Sequence, residues 1–393
     1  MALGVYISVP FCRSKCSFCN FASGVFSRDQ MDRYIDQLSH EIFRAEGFAE
    51  SIGVPLERSV DSIYLGGGTP TTLAPQQIRD VFTCIRSSFD VLQDAEISVE
   101  CAPGTLSPEI LDALLEAGAS RVSLGTQSFV DEEIRSVGRL HTARQTTTEI
   151  ERLIKAGITN INVDLIAGLP HQTRTSWRHS LEQVKQSGVP HTSVYILELD
   201  EESRLGRELI AGGSRYHAHY VPDSDLAADL YLEAVELLEH SGVEQYEISN
   251  FARPGFESKH NLKYWTRKPY LGFGLDAHSM LLVKNASREF ESVRFGNTGD
   301  LASYLLRRNH PSVILMTRQE AVEEQMFLGL RLNRGIDVAE IPPEMFRGFE
   351  TEIRMLIDVK LLERSGDRLR LTSRGRLLSN EVFERFIATE TFA

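Results

Sequence analysis

The sequence predicts an α/β protein in which a partial, TIM-like (β/α)6 barrel is followed by a mainly helical, winged-helix-like C-terminal domain. Two patterns carry this prediction. Short apolar runs alternate six times with segments of helical periodicity, as in parallel βαβ units, and six units rather than eight indicate an incomplete barrel. The last part of the chain instead combines helical segments with one short hairpin, which favours a separate domain.

The elements are predicted in order from apolar runs and turn residues. Strands are expected at 5–10, 62–65, 95–100, 122–125, 161–166 and 192–197. Helices are expected at 28–50, 75–88, 107–117, 173–186 and 225–241. Helical segments are also expected between the strand at 122–125 and about residue 156. Residues 205–222 lack periodicity and are rich in Gly, Ser, His and Tyr, so a loop or lid is predicted there. Tail helices are predicted at 318–330, 343–359 and 374–387, with a hairpin around 365–367.

The length of 393 residues exceeds one average domain. We expect a barrel at 1–205, a barrel-completing region with the motif around His260 at 206–310, and the C-terminal domain at 311–393. The net charge of -13 argues against a nucleic-acid partner and against broad binding to anionic membranes. No signal peptide and no run of about 18 to 20 apolar residues is recognised, so a cytoplasmic location is expected.

Three of the five cysteines, Cys12, Cys16 and Cys19, lie within eight residues directly after the first predicted strand. Thiolates are suitable ligands for iron-sulfur clusters, and three of them can ligate three irons of a [4Fe-4S] cluster while the fourth iron stays open. A zinc site would need a fourth Cys or His nearby, and a disulfide framework does not suit an odd number of cysteines in a large chain. Cys84 and Cys101 are expected to be core residues.

This spacing, with the aromatic Phe18 before the last cysteine, resembles the radical S-adenosylmethionine superfamily. The resemblance implies that the amino and carboxylate groups of S-adenosylmethionine bind the open iron. It also implies that an electron from the cluster cleaves the sulfonium to give a 5'-deoxyadenosyl radical.

Other unusual residues lie at the ends of the predicted strands, where ligands bind in parallel sheets. The run from Gly66 to Gly68, followed by Thr69 and Pro70, lets backbone N–H groups approach an anion closely. Glu100, Gln127 and Asp164 occupy the ends of the next strands, where carboxylates can accept from hydroxyl or amino groups. Taken singly, such an acid is as often a helix cap or turn residue.

The stretch 246–265 is the densest in side chains that carry chemistry. His260, Tyr264 and Trp265 could clamp a flat macrocycle, with His260 as an axial ligand to iron. Alternatively, His260 and Asn261 cap a turn while Tyr264 and Trp265 fill the core, and chemistry alone favours this second interpretation. His278 is the second histidine of interest in this part of the chain.

Taken together, these motifs resemble the HemW family of heme chaperones nearly end to end. The matching segments are Tyr6, Pro10–Cys12, Gly66–Pro70, Leu124–Phe129, Gly138–His141, Asp164–Pro170, Tyr246–Asn250, the HNxxYW motif at His260–Trp265, Leu371–Gly375 and Leu378–Asn380.

The resemblance implies roles for individual residues. The cluster ligands would be Cys12, Cys16 and Cys19, and S-adenosylmethionine would face Tyr6, Gly67 and Glu100. A second set matches positions that contact a second S-adenosylmethionine in the related true oxidase: Phe18, Gly68, Thr69, Gln127, Arg139 and Asp164. The heme motif would consist of His260, Asn261, Tyr264 and Trp265.

The implied function is heme binding and delivery to an acceptor hemoprotein, such as a membrane-bound respiratory protein, by a monomer or homodimer. Three alternatives are open: an oxygen-independent coproporphyrinogen III oxidase, a radical enzyme acting on an unrelated substrate, and a scaffold with a structural cluster. Phe21 stands where the true oxidase has a further cysteine, and the N-terminal extension of that enzyme is absent, which argues against the first. Ser8 stands where the family commonly has His.

Overall fold

Six parallel strands lie in the central sheet in the order in which they occur in the chain. The structure is a computed structural model that describes residues 1–283, 290–306 and 311–387. The strands are β1 (Leu3–Val9), β2 (Ser59–Gly67), β3 (Asp90–Cys101), β4 (Arg121–Gln127), β5 (Asn160–Ala167) and β6 (His191–Ile196). The helices between them are α1 (Arg28–Phe43), α2 (Ala45–Ser51), α3 (Pro75–Ser88), α4 (Pro108–Glu116), α5 (Asp131–Ser136), α6 (Ala143–Lys155) and α7 (Arg174–Ser187). The predicted α/β fold with six βα units is confirmed.

Local sequence places the ends of these helices. Ser27 and Gln30 form a reciprocal capping box at the start of α1, and Thr142 and Thr173 cap α6 and α7 in the same way. Gly188 ends α7 in the left-handed conformation, with a φ of 68°. The strands between the helices are buried on both faces, as in other parallel sheets, and their apolar side chains form the main core.

The next part of the chain extends the sheet at both edges. Its elements are α8 (Arg204–Ala211), α9 (Ser224–His240), β7 (Glu244–Gln245), β8 (Asn250–Ala252), α10 (Lys259–Trp265), β9 (Tyr270–Phe273), β10 (His278–Leu282), β11 (Phe290–Gly296), α11 (Leu301–Leu305) and β12 (Ser312–Thr317). Strand β8 pairs antiparallel with β6, while β9 pairs parallel with β1. Strands β10, β11 and β12 follow as antiparallel neighbours, which gives a described sheet of 12 strands.

The C-terminal part has its own apolar core. Its elements are α12 (Arg318–Leu330), β13 (Ile336–Asp337), α13 (Pro343–Phe346), α14 (Glu350–Asp358), β14 (Leu362–Ser365), β15 (Arg368–Leu371), α15 (Ser373–Leu377) and α16 (Ser379–Phe383). Met326, Leu330, Leu369, Val382 and Phe386 are buried together in this second core. Strands β14 and β15 form the predicted hairpin. The predicted boundaries at 205/206 and 310/311 remain predictions, and residues 284–289 and 307–310 lie outside the described residues.

Several predicted elements are corrected by the structure. The helix predicted at 28–50 is interrupted at Arg44, where α1 ends and α2 begins. The helix predicted at 343–359 is interrupted by a 3-10 turn at Arg347–Phe349, and the one predicted at 374–387 is divided into α15, α16 and a final 3-10 turn. Local hydrophobic periodicity continues across such breaks, so it does not reveal them.

The segment predicted as a loop at 205–222 contains helix α8. Ser203 caps this helix, and the Leu205 N–H donates to the Ser17 carbonyl at 2.8 Å. A helix of eight residues is too short to be stable alone, so this distant contact stabilises it.

Among the described residues, we find no helix that has both the length and the apolar character required to cross a membrane.

Candidate functional site

The loop that carries the three clustered cysteines begins where β1 ends, at the carboxyl edge of the parallel strands. Two backbone hydrogen bonds join the two ends of the loop. The Cys12 N–H donates to the Gly24 carbonyl at 2.8 Å, and the Gly24 N–H donates to the Pro10 carbonyl at 2.9 Å. The middle of the loop is fixed at Ser17, whose N–H donates to the Val137 carbonyl at 3.0 Å and whose carbonyl accepts from the Leu205 N–H at 2.8 Å. The loop is therefore fixed by neighbours at several points.

All five cysteines are free thiols, so the disulfide alternative has no support. Cys16 is buried, while Cys12 and Cys19 are partly exposed. Burial raises the pKa of the Cys12 and Cys16 thiols, and the nearby Arg139 guanidinium opposes this effect. In the described ranges, no three His, Cys, Asp or Glu side chains converge on a single metal ion. Three separate thiols on one loop suit a cluster that takes one thiolate per iron.

The glycine run packs directly against this loop. A Cβ atom at Gly68 would lie 2.8 Å from the carbonyl oxygens of Val9 and Phe11, so no larger residue fits without a backbone shift. The Gly68 and Thr69 N–H groups donate to those same carbonyls, each at 2.8 Å. Gly67 has a φ of 104°, which favours glycine. The run is thus a structural support of the cysteine loop as well as a candidate binding surface.

Tyr6, Gly67 and Glu100, which the resemblance assigns to S-adenosylmethionine, lie together in the structure. The Gly67 N–H donates to Glu100 Oε2 at 3.1 Å. The Tyr6 hydroxyl lies 3.5 Å from the position that a Cβ on Gly67 would occupy. Glu100 also accepts a 3.0 Å hydrogen bond from the Tyr64 hydroxyl. Burial, together with the charge of Asp164, raises the pKa of Glu100 to about 7.

Arg139 has a guanidinium group that is only partly satisfied by the protein. Its Nε is buried and has no hydrogen-bond partner among the described residues. A Cβ on Gly125 would meet Arg139 Nη2 at 2.9 Å and Gln127 Nε2 at 3.3 Å, so both side chains lie over this glycine. A buried N–H without an acceptor is expected where a carboxylate ligand binds. The residues present therefore fit the amino acid end of S-adenosylmethionine.

The other residues of the predicted second set are spread around the same edge. Asp164 accepts from Ser123 Oγ at 3.2 Å and from Asn162 Nδ2 at 2.7 Å, and burial raises its pKa. Phe18 packs on the small apolar cluster that includes Val137 and Leu169. Thr69 is buried and its hydroxyl lies 3.8 Å from Cys12 Sγ. A neighbouring cavity of about 140 Å³ is lined by Arg13, Thr69, Gly104, Arg139 and His141.

The His260–Trp265 motif lies at the opposite end of the strands. It forms helix α10, and His260 packs against Ser62, which pairs with Gly4 near the start of β1. Gly67 is five residues further along β2, a distance of about 16 Å at the rise of a strand. The structure therefore does not bring this motif together with the cysteine loop.

Both ring nitrogens of His260 are hydrogen bonded in the structure. Nδ1 lies 3.1 Å from Ser62 Oγ and Nε2 lies 2.8 Å from the Tyr264 hydroxyl. The residue is fully buried, and burial together with the charge of Lys263 lowers its pKa to about 3. His260 is thus a neutral side chain with no free nitrogen in this conformation.

The remaining motif residues have packing and capping contacts. The Asn261 N–H donates to the capping Ser258 hydroxyl at 3.3 Å. The Arg331 guanidinium lies 4.2 Å from the ring centroid of Trp265, whose buried Nε1 has no partner among the described residues. His278 is exposed at the start of β10, with Nε2 4.0 Å from Asp276 Oδ1, and joins neither group.

Tyr64 connects the two ends of the barrel, and the sequence analysis did not select it. Its ring centroid lies 5.5 Å from that of His260, while its hydroxyl binds Glu100. The alternation of side chains along β2 could have identified it. Ser62, Tyr64 and Gly66 are two residues apart, so they lie on the same face of the strand.

Comparisons with known proteins agree with this architecture. Residues 6–184 match the Radical SAM superfamily, and residues 316–378 match the HemN C-terminal domain. The structure is similar to coproporphyrinogen III oxidase (HemN) from Escherichia coli, a Radical SAM enzyme, with a TM-score of 0.82 and 24% identity over 100% of this chain and 91% of that chain. This likeness establishes the fold.

Two full-length relatives are more informative about the family. The heme chaperone HemW of Lactococcus lactis is 34% identical over 97% of this chain and 96% of its own. The heme chaperone HemW of Bacillus subtilis is 32% identical over 97% of this chain and 98% of its own. The chain therefore belongs to the HemW family, within the radical S-adenosylmethionine superfamily.

Proposed function

We propose that this protein is a heme chaperone, which binds heme and transfers it to an acceptor hemoprotein in the cytoplasm or at a membrane-bound acceptor. The observation that carries this proposal is the similarity, over 97% of the chain, to proteins named heme chaperones. The acceptor and the oligomeric state, monomer or homodimer, remain predictions.

The cofactor site of the proposed chaperone is the carboxyl edge of the barrel. Cys12, Cys16 and Cys19 would hold a [4Fe-4S] cluster, which, when bound, supplies an electron to S-adenosylmethionine. Tyr6, Gly67 and Glu100 would bind that molecule. The proximity of these three residues supports this assignment.

Two further assignments belong to the proposal. A second S-adenosylmethionine would contact Phe18, Gly68, Thr69, Gln127, Arg139 and Asp164. The HNxxYW motif, His260, Asn261, Tyr264 and Trp265, would contribute to heme binding. Because His260 uses both nitrogens in hydrogen bonds, its direct ligation of iron would require one of those bonds to break.

A coproporphyrinogen III oxidase is the second candidate function. The match of residues 316–378 to the HemN C-terminal domain favours it. Phe21 argues against it, since the true oxidase has a cysteine at this position by the resemblance described above. Phenylalanine supplies no thiol at this position, and the side chain of Phe21 is exposed.

One anaerobic experiment tests both functions. The cluster is reconstituted, heme is titrated and followed by its Soret band, and coproporphyrinogen III is supplied separately with S-adenosylmethionine and reductant. We expect stoichiometric heme binding without turnover of the porphyrinogen. Turnover with little heme affinity would instead identify an oxidase.

The cluster assignment has its own test. Cys16→Ala should lose the visible absorbance and the iron of the cluster, because one of three ligands is removed. Cys84→Ala is the matched control, since this thiol donates to the Ser39 carbonyl at 3.2 Å, away from the loop, and should keep the cluster. A full cluster in Cys16→Ala would contradict the ligand assignment.

A further inference from the structure

Three histidines and a tyrosine meet beside the cysteine loop, at the carboxyl edge of the strands. His171 follows β5, while His217, His219 and Tyr220 follow α8. The ring of Tyr220 lies 4.0 Å from that of His171 and 4.1 Å from that of His219, measured between centroids. His171 Nε2 lies 3.2 Å from His217 Nδ1. Neither the cofactor site nor the HNxxYW motif includes these residues.

The contact between the two histidines orients His217 as a metal ligand. When His217 carries its proton on Nδ1 and donates it to His171 Nε2, its own Nε2 keeps a lone pair. A ligating histidine commonly uses its other ring N–H in this way, because the second hydrogen bond fixes the tautomer and the ring. His217 is partly exposed, in contrast to the fully buried His260.

The backbone holds His217 in place at some conformational cost. Both His171 and His217 adopt the left-handed conformation, with φ values of 67° and 62°. Such conformations persist only where the surroundings fix them, and they are concentrated at binding sites. The His171 N–H donates to the Tyr220 carbonyl at 3.0 Å, which joins the two segments.

A buried carboxylate anchors the segment on the other side of His217. Glu208 of α8 accepts hydrogen bonds from the Tyr216 N–H at 2.8 Å and from the Ala218 N–H at 3.2 Å. The residues immediately before and after His217 are therefore both fixed to α8. The segment that carries the His217 imidazole is therefore already ordered before a ligand binds, which reduces the entropic cost of binding.

Positive charge is concentrated next to these histidines. Arg204, Arg207 and Arg215 line an open cavity of about 410 Å³ together with Glu208, Gly212 and Tyr216, and the Glu208 carboxylate is engaged by backbone N–H groups. None of the three forms an ion pair with an acid among the residues that the structure describes. Three arginines around one cavity favour a ligand with more than one carboxylate.

Apolar surface lies beside the arginines. Ile210 is 67% exposed and stands three residues after Arg207, so both lie on one face of α8. Tyr220 is 50% exposed at the histidine cluster. A ligand that combines a metal ion, a flat apolar ring and two carboxylates matches all three features.

We propose that this group of residues, the histidine–arginine site, binds heme, with His217 Nε2 as an axial ligand to the iron. Arg204, Arg207 and Arg215 pair with the two propionates, and the macrocycle covers the exposed apolar side chains. This inference rests on the proposed chaperone function. It assigns the heme to this surface in place of the HNxxYW motif, because both ring nitrogens of His260 are already hydrogen bonded. The site adjoins the cluster loop, because Arg204 Nη1 donates to the Lys15 carbonyl at 3.3 Å.

The test is a heme titration of the full, cluster-reconstituted chain, followed by the Soret band and by electron paramagnetic resonance of the ferric iron. His217→Ala should lower the heme affinity at least about tenfold and change the axial-ligand spectrum. Added imidazole should restore that spectrum, which a merely structural role would not allow. The Arg207→Ala/Arg215→Ala double variant should lower the affinity about tenfold and leave the axial-ligand spectrum unchanged.

Two comparisons make the result decisive. His179→Ala removes an exposed histidine of α7 and should bind heme as the wild type does. If His217→Ala keeps the wild-type affinity and spectrum, or if only His260→Ala loses them, the inference is overturned while the chaperone function stands. A wild-type chain that binds no heme would overturn the proposed function as well.

Discussion

Glu100 is a carboxyl group whose charge is disfavoured by its position inside the barrel. Burial and the charge of Asp164 raise its pKa to about 7, although Tyr64 and the Gly67 N–H both donate to it. A carboxyl group in the unfolded chain ionises near pH 4.5. Its protonation therefore stabilises the fold fully below that pH, and this contribution is lost as the pH rises through 7.

The Glu100→Gln variant should make this contribution visible. Gln can accept from the Gly67 N–H without the cost of a buried charge. We expect the variant to be more stable than the wild type at pH 8 by about 3 kcal/mol, and the difference to become small near pH 4.5. Urea unfolding of the cluster-free chain at the two pH values measures this.

Glu109→Gln is the matched control, because the Ser107 hydroxyl lowers the pKa of this exposed carboxyl group. It should gain no stability at pH 8. If the difference in unfolding free energy between Glu100→Gln and the wild type were the same at both pH values, the raised pKa of Glu100 would be contradicted.

The cysteine loop and the glycine run form one element through backbone contacts. The Gly68→Ala change would introduce a methyl group 2.8 Å from the Val9 and Phe11 carbonyl oxygens, which belong to the backbone and cannot rotate away. Overpacking of this kind should destabilise the fold by about 1–3 kcal/mol and lower the iron content after reconstitution.

Gly47→Ala, in helix α2, provides the comparison. Nothing lies within 4 Å of a Cβ at Gly47, and Ala favours a helix over Gly. This variant should be unchanged or slightly more stable, by up to about 1 kcal/mol, with full iron content. Thermal unfolding measures the stability of each variant, and iron analysis measures its iron content. If Gly68→Ala matched Gly47→Ala in both, the cysteine loop would tolerate a backbone shift at Gly68.

Elements that depend on local sequence were predicted well. Helix α3 occupies 75–88, the predicted range, and the six parallel strands follow from apolar runs. Helix α8 was missed because its stability depends on contacts such as that between Leu205 and Ser17. Strands β9 to β12 were missed because they are defined by pairing with distant parts of the chain rather than by periodicity.

The candidate sites show the same limit. The spacing of Cys12, Cys16 and Cys19 is enough to predict a cluster site, because the three residues are neighbours in the chain. His260 does not reveal its environment, because its partner Ser62 is 198 residues away in the chain. The pair His171 and His217 is separated by 46 residues, and only the fold brings the two rings together.

At the scale of the whole molecule, the two ends of the barrel have different partners. The cysteine loop and the histidine–arginine site share the carboxyl edge of the strands. The opposite end contacts the C-terminal part, where Arg331 both stacks on Trp265 and pairs with Glu247 at 3.4 Å. Tyr64 lies between these ends, because its ring packs near His260 while its hydroxyl donates to Glu100.

Glu324 of α12 forms two largely buried ion pairs in the contact between the two cores. Its carboxylate lies 3.0 Å from Arg267 Nε and 2.6 Å from Arg294 Nε, and the side chains of Glu324 and Arg267 are only 11% and 8% exposed. Removal of the carboxylate leaves two arginines with a poorer set of partners, although Arg267 keeps Glu291.

The Glu324→Ala variant should therefore lose about 2–3 kcal/mol of stability, most of it from the contact between the barrel and the C-terminal part. In differential scanning calorimetry we expect the C-terminal part to unfold before the barrel, as a separate transition. Glu363→Ala breaks the exposed pair with Arg370 and should change stability by less than about 1 kcal/mol, with the wild-type profile retained. If Glu324→Ala unfolded in a single transition with a loss as small as that of the control, the ion pairs of Glu324 would not be what joins the two cores.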